Sequence, residues 1–238
     1  MVKNKNMIQV VYTNSNCNDV FVPFLKQNKK HCNLPLYTIS DYDLNGEGIV
    51  DSYKYGNDEP YYKVWADALT NFNSEYFIYL QEDFFLFDDV KEDVLEKYRD
   101  FLRNSKYSFV RLLKSGELGN KAVADNLYEI EPMNENIFSM QATIWKTEDY
   151  IKLMNTVKSP GWLETDADYR YNMIAMGMYG LYHFNDEKQI GTHHWDSSVY
   201  PYIATAVVKG KWNYKEYANV LNEILEENNI DPNIRGKL

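Results

Sequence analysis

Residues 76–87 of the chain read YFIYLQEDFFLF. The first five are apolar or aromatic, as in a strand buried on both faces of a sheet, and two carboxylates, Glu82 and Asp83, follow where such a strand would end. Adjacent carboxylates that are partly buried repel each other and lose hydration unless a cation compensates them. The stretch therefore predicts an interior strand that delivers an acidic pair to a divalent cation, with an anionic group beyond it.

The segments before this stretch alternate between strand and helix patterns. Residues 7–13 form an apolar run, residues 20–30 have a helical pattern, and residues 34–39 are again strand-like. A helix that starts at residues 58–60, with Asp58 as its N-cap, leads into the acidic strand. This alternation predicts an α/β protein with a βαβ beginning.

Other segments give weaker signals. Residues 41–57 and 114–135 show no periodicity and are predicted to be irregular, and either Asp88 or Asp89 is predicted to cap the helix that follows the acidic strand. Residues 214–228 have the pattern of an amphipathic helix, which predicts a helical C-terminal extension.

Composition limits the functional classes. With 238 residues, 45% of them hydrophobic, the chain can bury one full core. A formal net charge of -10 argues against a nucleic-acid partner, which needs a basic surface. Two cysteines, Cys17 and Cys32, give neither a disulfide framework nor a metal-ligand spacing, which indicates a reducing compartment. The 21 tyrosines suit a carbohydrate site, although most are expected to fill the core.

Targeting signals are not apparent in the sequence. Residues 1–7 contain no apolar run of signal-peptide length, and no later segment approaches the roughly 18 apolar residues of a membrane span. We therefore expect a soluble, cytoplasmic protein without a transmembrane segment.

Polar side chains follow the first predicted strand. Tyr12, Thr13 and Asn14 stand at its carboxyl end, and ligands of open α/β sheets bind at the carboxyl ends of strands. These three residues are therefore candidates for holding a base or ribose.

The chain resembles glycosyltransferases of the GT-A type, in particular small bacterial and viral polysaccharide glycosyltransferases. The resemblance is carried by a helix with Trp65 and Leu69, the strand 76–80 and the acidic pair, and it extends over most of the chain. It implies a GT-A-like (Rossmann-like), mixed and mostly parallel sheet flanked by helices, with a C-terminal helical extension. It also implies one glycosyltransferase domain, 1–238, with three parts: a nucleotide-binding half at 1–90, an acceptor half at 91–205, and a C-terminal helix and tail at 206–238.

The resemblance implies an activity as well. A sugar would pass from a UDP-, GDP- or dTDP-sugar to a glycan or other hydroxyl acceptor, assisted by Mn²⁺ or Mg²⁺, in surface polysaccharide or glycan synthesis. After the strand 76–80 the sequence reads Gln81-Glu82-Asp83-Phe84, which departs from the commoner Asp-X-Asp triplet of the family. Asp83 is therefore the favoured metal ligand, and Glu82 is expected to act on the ribose or through water.

The acceptor side of such enzymes needs a carboxylate that takes the proton of the attacking hydroxyl. Residues 162–166, WLETD, offer Glu164 and Asp166 as candidates, with Asp168 as the third choice. An acid in the first turn of a helix is also often placed there only by the helix dipole.

The C-terminal part supplies further candidates. His193, in the sequence His193-His194-Trp195, could complete the metal shell, although a histidine is more often structural. Lys211 and Arg235 could neutralise a departing diphosphate, as could Lys209 and Lys237.

Other enzyme classes lack their motifs. The chain contains no phosphate-binding P-loop, no Gly-X-Gly-X-X-Gly, no Gly-X-Ser-X-Gly and no His-Glu-X-X-His. Two alternatives stay open: a metal-independent glycoside hydrolase, which would also use two carboxylates, and a nonenzymatic carbohydrate-binding protein, which would need the aromatic residues alone.

Overall fold

The computed structural model describes residues 7–56, 58–156 and 167–238, without the side chains of residues 167 and 168. Its centre is a nine-stranded sheet. The strands are β1 (Met7–Tyr12), β2 (Leu36–Ser40), β3 (Ile49–Lys54), β4 (Tyr76–Gln81), β5 (Tyr107–Arg111), β6 (Lys121–Ala124), β7 (Leu127–Glu129), β8 (Thr143–Lys146) and β9 (Tyr179–His183). Two small hairpins pair β10 (Gln189–Ile190) with β11 (His194–Trp195), and β12 (Val207–Val208) with β13 (Lys211–Trp212).

The sheet has the order β3-β2-β1-β4-β8-β5-β9-β7-β6. Strands β1 to β4 are parallel to one another, and β8 is antiparallel to both β4 and β5. Among the described strands of this sheet, only β7 and β8 run against the rest. The expected fold class, a mixed and mostly parallel sheet, is thus confirmed.

Seven helices are described. They are α1 (Asn18–His31), α2 (Tyr61–Phe72), α3 (Glu92–Arg103), α4 (Thr147–Thr156), α5 (Ala167–Ala175), α6 (Tyr214–Glu227) and α7 (Pro232–Arg235). The flanking helices and the C-terminal helical extension were expected from the sequence and are confirmed.

The helices cover both faces of the sheet, because each central strand sends apolar side chains in both directions. Along β4, Tyr76, Ile78 and Leu80 belong to one core, which also contains apolar residues of α1, α3 and α6. Phe77 and Tyr79 belong to the other, with apolar residues of α2, α4 and α5. Burial on both faces explains why residues 76–80 read as a continuous apolar run.

Several local predictions were wrong. Residues 41–57 contain strand β3, which lies at the sheet edge and is largely exposed, so it lacks the apolar signature of an inner strand. Residues 114–135 contain the β6–β7 hairpin. Asp58 does not cap α2, whose N-cap is Pro60. Helix α3 begins at Glu92 with Lys91 as its N-cap, and Asp89 instead pairs with His31 at 2.9 Å.

In the described part of the chain, no helix combines the length and the apolar character needed to cross a membrane. The division of the chain at residues 90 and 205 stays a prediction.

Candidate functional site

The site lies where several strands end at one edge of the sheet. In the parallel register, Tyr12 at the end of β1 is level with Ile39 in β2 and with Gln81 at the end of β4. The residues that follow these strands therefore meet at one edge, as in other open α/β sheets. The antiparallel strand β8 begins at this same edge, so the residues before it also reach the site.

The acidic pair forms a turn directly after β4. The amide of Phe84 donates to the carbonyl of Gln81 at 3.1 Å, and Glu82 and Asp83 are half-buried between the strand and the apolar residues after them. Those apolar residues pair with the segment 201–203, since the amide of Ile203 donates to the carbonyl of Phe85 at 2.9 Å. This pairing brings residues 204–208 over the acidic turn.

Asp83 faces that covering segment. Its Oδ2 accepts a hydrogen bond from the amide of Val207 at 3.2 Å. Burial, and next the negative charge of Glu82, raise the pKa of Asp83 to about 7, and the hydrogen bonds from the amides of Val207 and Ala206 act in the opposite direction. Burial and the neighbouring carboxylate thus disfavour the charged form of Asp83, and a cation bound beside it would favour that form.

Glu82 faces the loop after β1 instead. Burial raises the pKa of its carboxyl group, against the hydrogen bond from the Cys17 thiol and the positive charge of Arg235. Burial and the same carboxylate raise the pKa of Cys17 to about 11, which keeps the thiol protonated as the donor. The carboxylate of Asp83 therefore contacts the covering segment, whereas that of Glu82 contacts the loop after β1.

The residues predicted at the end of β1 all lie at this edge. Tyr12 stacks on Tyr55 with ring centroids 5.3 Å apart, and its hydroxyl donates to that of Tyr55 at 2.7 Å. Asn14 caps a short 3₁₀ turn by accepting from the amide of Asn16 at 3.0 Å. Thr13 is fully buried, so its side chain supports the loop and does not face a ligand in this conformation.

Sequence reasoning missed two neighbours of this loop. Asp41 accepts hydrogen bonds from the amide and the hydroxyl of Ser15, at 2.7 and 2.8 Å, and Tyr55 pairs with Tyr12. Asp41 directly follows β2, so the rule that ligands bind at the carboxyl ends of strands could have found it. Tyr55 directly follows β3, which sequence reasoning had not recognised as a strand.

Arg235 reaches the site from the C-terminal end. Its Nε and Nη2 donate to the two carboxylate oxygens of Asp19 at 3.0 and 2.6 Å, and its guanidinium lies 5.5 Å from the ring centroid of Trp212. Its charge also acts on Glu82, as described above. Lys209 and Lys211 lie exposed on the nearby β12–β13 hairpin.

The remaining candidates are less well placed. His193 is exposed, and its carbonyl accepts from the amide of Gly116 at 2.9 Å. The described residues contain no group of three or more histidine, cysteine or acidic side chains arranged to hold a metal ion. Glu164 and Asp166 lie outside the described residues, and Asp168 belongs to the first turn of α5, with its side chain outside the description.

Comparisons with known proteins were made for the whole chain. No protein-family model matches it, and a search of curated proteins finds no relative. Among solved structures, S. aureus TarS 1-349 in complex with UDP is similar over 93% of this chain and 65% of that one, with 14% identity and a TM-score of 0.48. A cytidylyltransferase from Leptospira borgpetersenii matches 96% of this chain and 97% of its own, with 13% identity and a TM-score of 0.47.

A mannosyltransferase from Pyrobaculum calidifontis in complex with GDP-Man and Mn²⁺ is also similar, over 76% of this chain and 55% of that one, with 12% identity and a TM-score of 0.45. With identities of 12 to 14% and TM-scores below 0.5, these structures carry no argument about function, which is therefore argued from the site.

Proposed function

We propose that the protein transfers a sugar from a nucleotide-sugar donor to a hydroxyl of a glycan acceptor. The observation that carries the proposal is the acidic pair at the end of β4, beside the loop after β1. Asp83 there has a raised pKa, and its hydrogen-bond donors among the described residues are backbone amides, which fits a site that a cation and an anionic ligand complete.

A divalent cation fits this donor set. Mg²⁺ and similar hard ions bind through one or two carboxylates together with substrate phosphates and water, and they need no cage made of protein ligands alone. Asp83 would be the main protein ligand, Glu82 would act on the ribose or through water, and His193 would be a further ligand. When bound, Mn²⁺ or Mg²⁺ would neutralise the charge of the donor diphosphate.

The residues of the first half would hold the donor. Tyr12 and Asn14 lie where a base or ribose of a UDP-, GDP- or dTDP-sugar would be bound, and Thr13 shapes the loop from beneath. Arg235 and Lys211 would add positive charge for the diphosphate as it departs. Arg235 is already fixed by Asp19, so little side-chain freedom would be lost on binding.

The acceptor side would need a base. Glu164 and Asp166 keep this role in the proposal, with Asp168 as the third choice, and the base would take the acceptor proton as its oxygen attacks the anomeric carbon. The reaction would serve the synthesis of a surface polysaccharide or other glycan in the cytoplasm. The resemblance in sequence supports this kind of synthesis, and the two unpaired cysteines support a reducing compartment.

A nucleotide-sugar screen tests the function. We expect a UDP-, GDP- or dTDP-sugar to raise the melting temperature in the presence of Mn²⁺, and to release the nucleoside diphosphate slowly. Asp83→Ala should abolish turnover and weaken binding of the nucleotide, because the diphosphate would lose its compensating cation. Asp93→Ala is the matched control, since Asp93 is an exposed aspartate on α3.

The products separate the remaining possibilities. Release of pyrophosphate from a nucleoside triphosphate would show nucleotidyl transfer. Cleavage of glycosides in EDTA would show a glycoside hydrolase, and stabilisation by glycans alone would show a carbohydrate-binding protein. Unchanged donor turnover by Asp83→Ala would contradict the role of the acidic pair.

A further inference from the structure

A cavity lies beside the acidic turn. It has a volume of about 320 Å³, at the lower end of the range for small-ligand pockets, which suits a sugar ring better than a whole nucleotide. The side chains that matter for its chemistry come from the loop after β5, the segment before β8, the first residue of β11 and the segment before β12: Ser115, Asn136, Ser139, Gln141, His194 and Thr205.

The cavity is joined to the acidic turn through one segment. Thr205 lines the cavity, and the next two residues, Ala206 and Val207, direct their amides at the carboxylate of Asp83. Tyr202 makes a second connection, because its hydroxyl donates to Oε1 of Gln141 at 2.9 Å and its pKa is raised, after the larger effect of burial, partly by the charge of Asp83. A ligand in this cavity would therefore lie next to a donor held at the acidic turn.

The polar groups of the cavity are neutral and fixed in orientation. The amide of Ala142 donates to the Tyr202 hydroxyl at 3.1 Å, so that hydroxyl donates onward to Oε1 of Gln141. The Gln141 amide nitrogen then faces Nε2 of His194 at 3.3 Å, and this nitrogen must accept. The imidazole proton consequently stands on Nδ1.

Arg111 lies outside the cavity and holds two of its lining residues, Ser115 and Asn136. This buried side chain donates through Nη1 to the hydroxyl of Ser115 at 3.0 Å, and through Nη2 to the carbonyl of Asn136 at 2.7 Å. It does not line the cavity. The arrangement makes Arg111 a positioning residue that holds two lining residues in place before a ligand arrives.

Among the described residues that line the cavity there is no carboxylate, lysine or arginine. Amide, hydroxyl and neutral imidazole groups can donate to and accept from sugar hydroxyls. An anionic ligand would instead lose its hydration without gaining an ion pair.

We propose that this cavity binds the acceptor as an uncharged sugar ring, with Gln141, Asn136 and His194 contacting its hydroxyls. The proposal rests on the proposed glycosyl transfer, and it adds the substrate class and the residues that select it. Acidic sugars and sugar phosphates are disfavoured acceptors in this reaction.

The test compares acceptors that differ only in charge. The probes are p-nitrophenyl glucoside against p-nitrophenyl glucuronide, and the corresponding galactoside against galacturonide. Binding of nucleotide and slow hydrolysis of the donor are measured first without acceptor. Acceptor-dependent release of nucleoside diphosphate is then measured, together with direct acceptor binding by saturation-transfer NMR.

We expect a neutral glycoside to be preferred over its acidic counterpart by at least about tenfold in kcat/KM. Gln141→Ala should raise the acceptor KM by about tenfold, the value of a lost hydrogen bond in a buried site, and Asn136→Ala by about threefold, because its side chain is exposed. Nucleotide binding and donor hydrolysis should stay within about twofold in both variants. Asn136 is exposed, so its variant should fold even if the buried Gln141 variant does not. Asn219→Ala on α6 is the matched control.

The outcomes separate the two proposals. Equal or better use of the acidic glycosides, or unchanged acceptor KM in both variants with donor hydrolysis intact, would overturn the acceptor site and leave glycosyl transfer in place. A parent protein that neither binds nor hydrolyses any nucleotide sugar would overturn the proposed function itself, and the acceptor proposal with it.

Discussion

Asp83 carries a carboxyl group whose pKa is raised to about 7, chiefly by burial. Near neutral pH this group is therefore protonated in a large fraction of the molecules, and a metal ion must displace the proton in order to bind. The affinity for Mn²⁺ in the presence of nucleoside diphosphate should thus fall by up to about tenfold for each pH unit below about pH 7, and level off above it.

Calorimetric titrations with Mn²⁺ at several pH values, in buffers of different ionisation enthalpy, measure both this affinity and the number of protons released. Asp83→Asn should bind Mn²⁺ weakly and lose the part of the pH dependence that the nucleotide itself does not cause. A parent protein with the same pH profile as Asp83→Asn would show that another group binds the metal.

The acceptor base is a second prediction for single residues. Glu164→Gln or Asp166→Asn should lower transfer by on the order of 10² or more and leave donor affinity nearly unchanged, because the group acts on the acceptor proton alone. Single-turnover transfer and nucleotide binding give the two readouts. Parallel loss of rate and donor affinity in both variants would indicate a role in folding or in the donor site.

The individual site residues show what a sequence pattern can reveal. The positions of Glu82, Asp83 and Tyr12 at one edge of the sheet were predictable, because each stands at the end of a strand with a clear apolar signature, while their roles stay predictions. Asp41 follows an equally clear strand, but a single acidic residue in a polar stretch carries little signal. The contacts of Arg235 with Asp19 were not predictable, since nothing local in the sequence relates residues that are 216 positions apart.

At the scale of elements, backbone hydrogen bonds attach the C-terminal segment to the β12–β13 hairpin. The amide of Trp212 donates to the carbonyl of Gly236 at 3.0 Å, and the amide of Leu238 donates to the carbonyl of Trp212 at 3.0 Å. These backbone bonds extend the β12–β13 hairpin and hold Arg235 near the acidic turn. Deleting residues 235–238 would therefore alter stability as well as rate.

A point substitution separates these two effects. Arg235→Gln keeps the backbone pairing, and the ion pair that it removes lies partly exposed, so the unfolding free energy should change by no more than about 1 kcal/mol. Donor affinity should fall severalfold, because positive charge near the diphosphate is lost. Lys26→Gln on α1 is the control for the change in net charge, and equal donor affinity in Arg235→Gln and the parent would limit Arg235 to a structural role.

Elements with strong apolar periodicity were predicted, and those held in place by tertiary contacts were not. Strands β1, β2 and β4 and helix α6 fall close to the expected positions, because their burial dictates their sequence. Strand β3 is held at the edge by pairing with β2 and needs little apolar surface of its own. Asp88 and Asp89 are residue types that often cap a helix. The amides of residues 90 and 91 instead donate to the carbonyls of His31 and Val199, so that the helix begins only at Glu92.

At the scale of the whole molecule, a buried network joins α3, β9 and the segment after β11. His183 lies between the hydroxyl of Tyr98 at 2.8 Å and the carboxylate of Glu187 at 2.7 Å, and Ser198 donates to the same carboxylate at 2.6 Å. Burial alone would raise the pKa of Glu187, but hydrogen bonds from His183, the amide of Asn185 and Ser198 outweigh it and lower the pKa to about 2.

This network should stabilise the fold against acid. Because the folded pKa of Glu187 lies below its ordinary value, the stabilisation is present above about pH 4.5 and is lost as the pH falls towards about 2, with a magnitude on the order of 2 kcal/mol. Urea unfolding from pH 6 down to pH 3 measures it, and Glu187→Gln should remove this part of the slope. Glu148→Gln, at an exposed position, is the control, and equal slopes in the parent and Glu187→Gln would contradict the assignment.

The contact between Asp19 and Arg235 also determines how early during synthesis the proposed donor site can be complete. At about 5 to 20 residues per second, a ribosome needs roughly 10 to 45 s to add the 216 residues that separate them. Strands β1 to β4 can associate on the nascent chain. The guanidinium of Arg235, which lies near their carboxyl ends, is added only when α7 is synthesised. A growing chain would carry the acidic turn without the nearby charge of Arg235, and the proposed donor binding would reach its full affinity only after translation has passed Arg235.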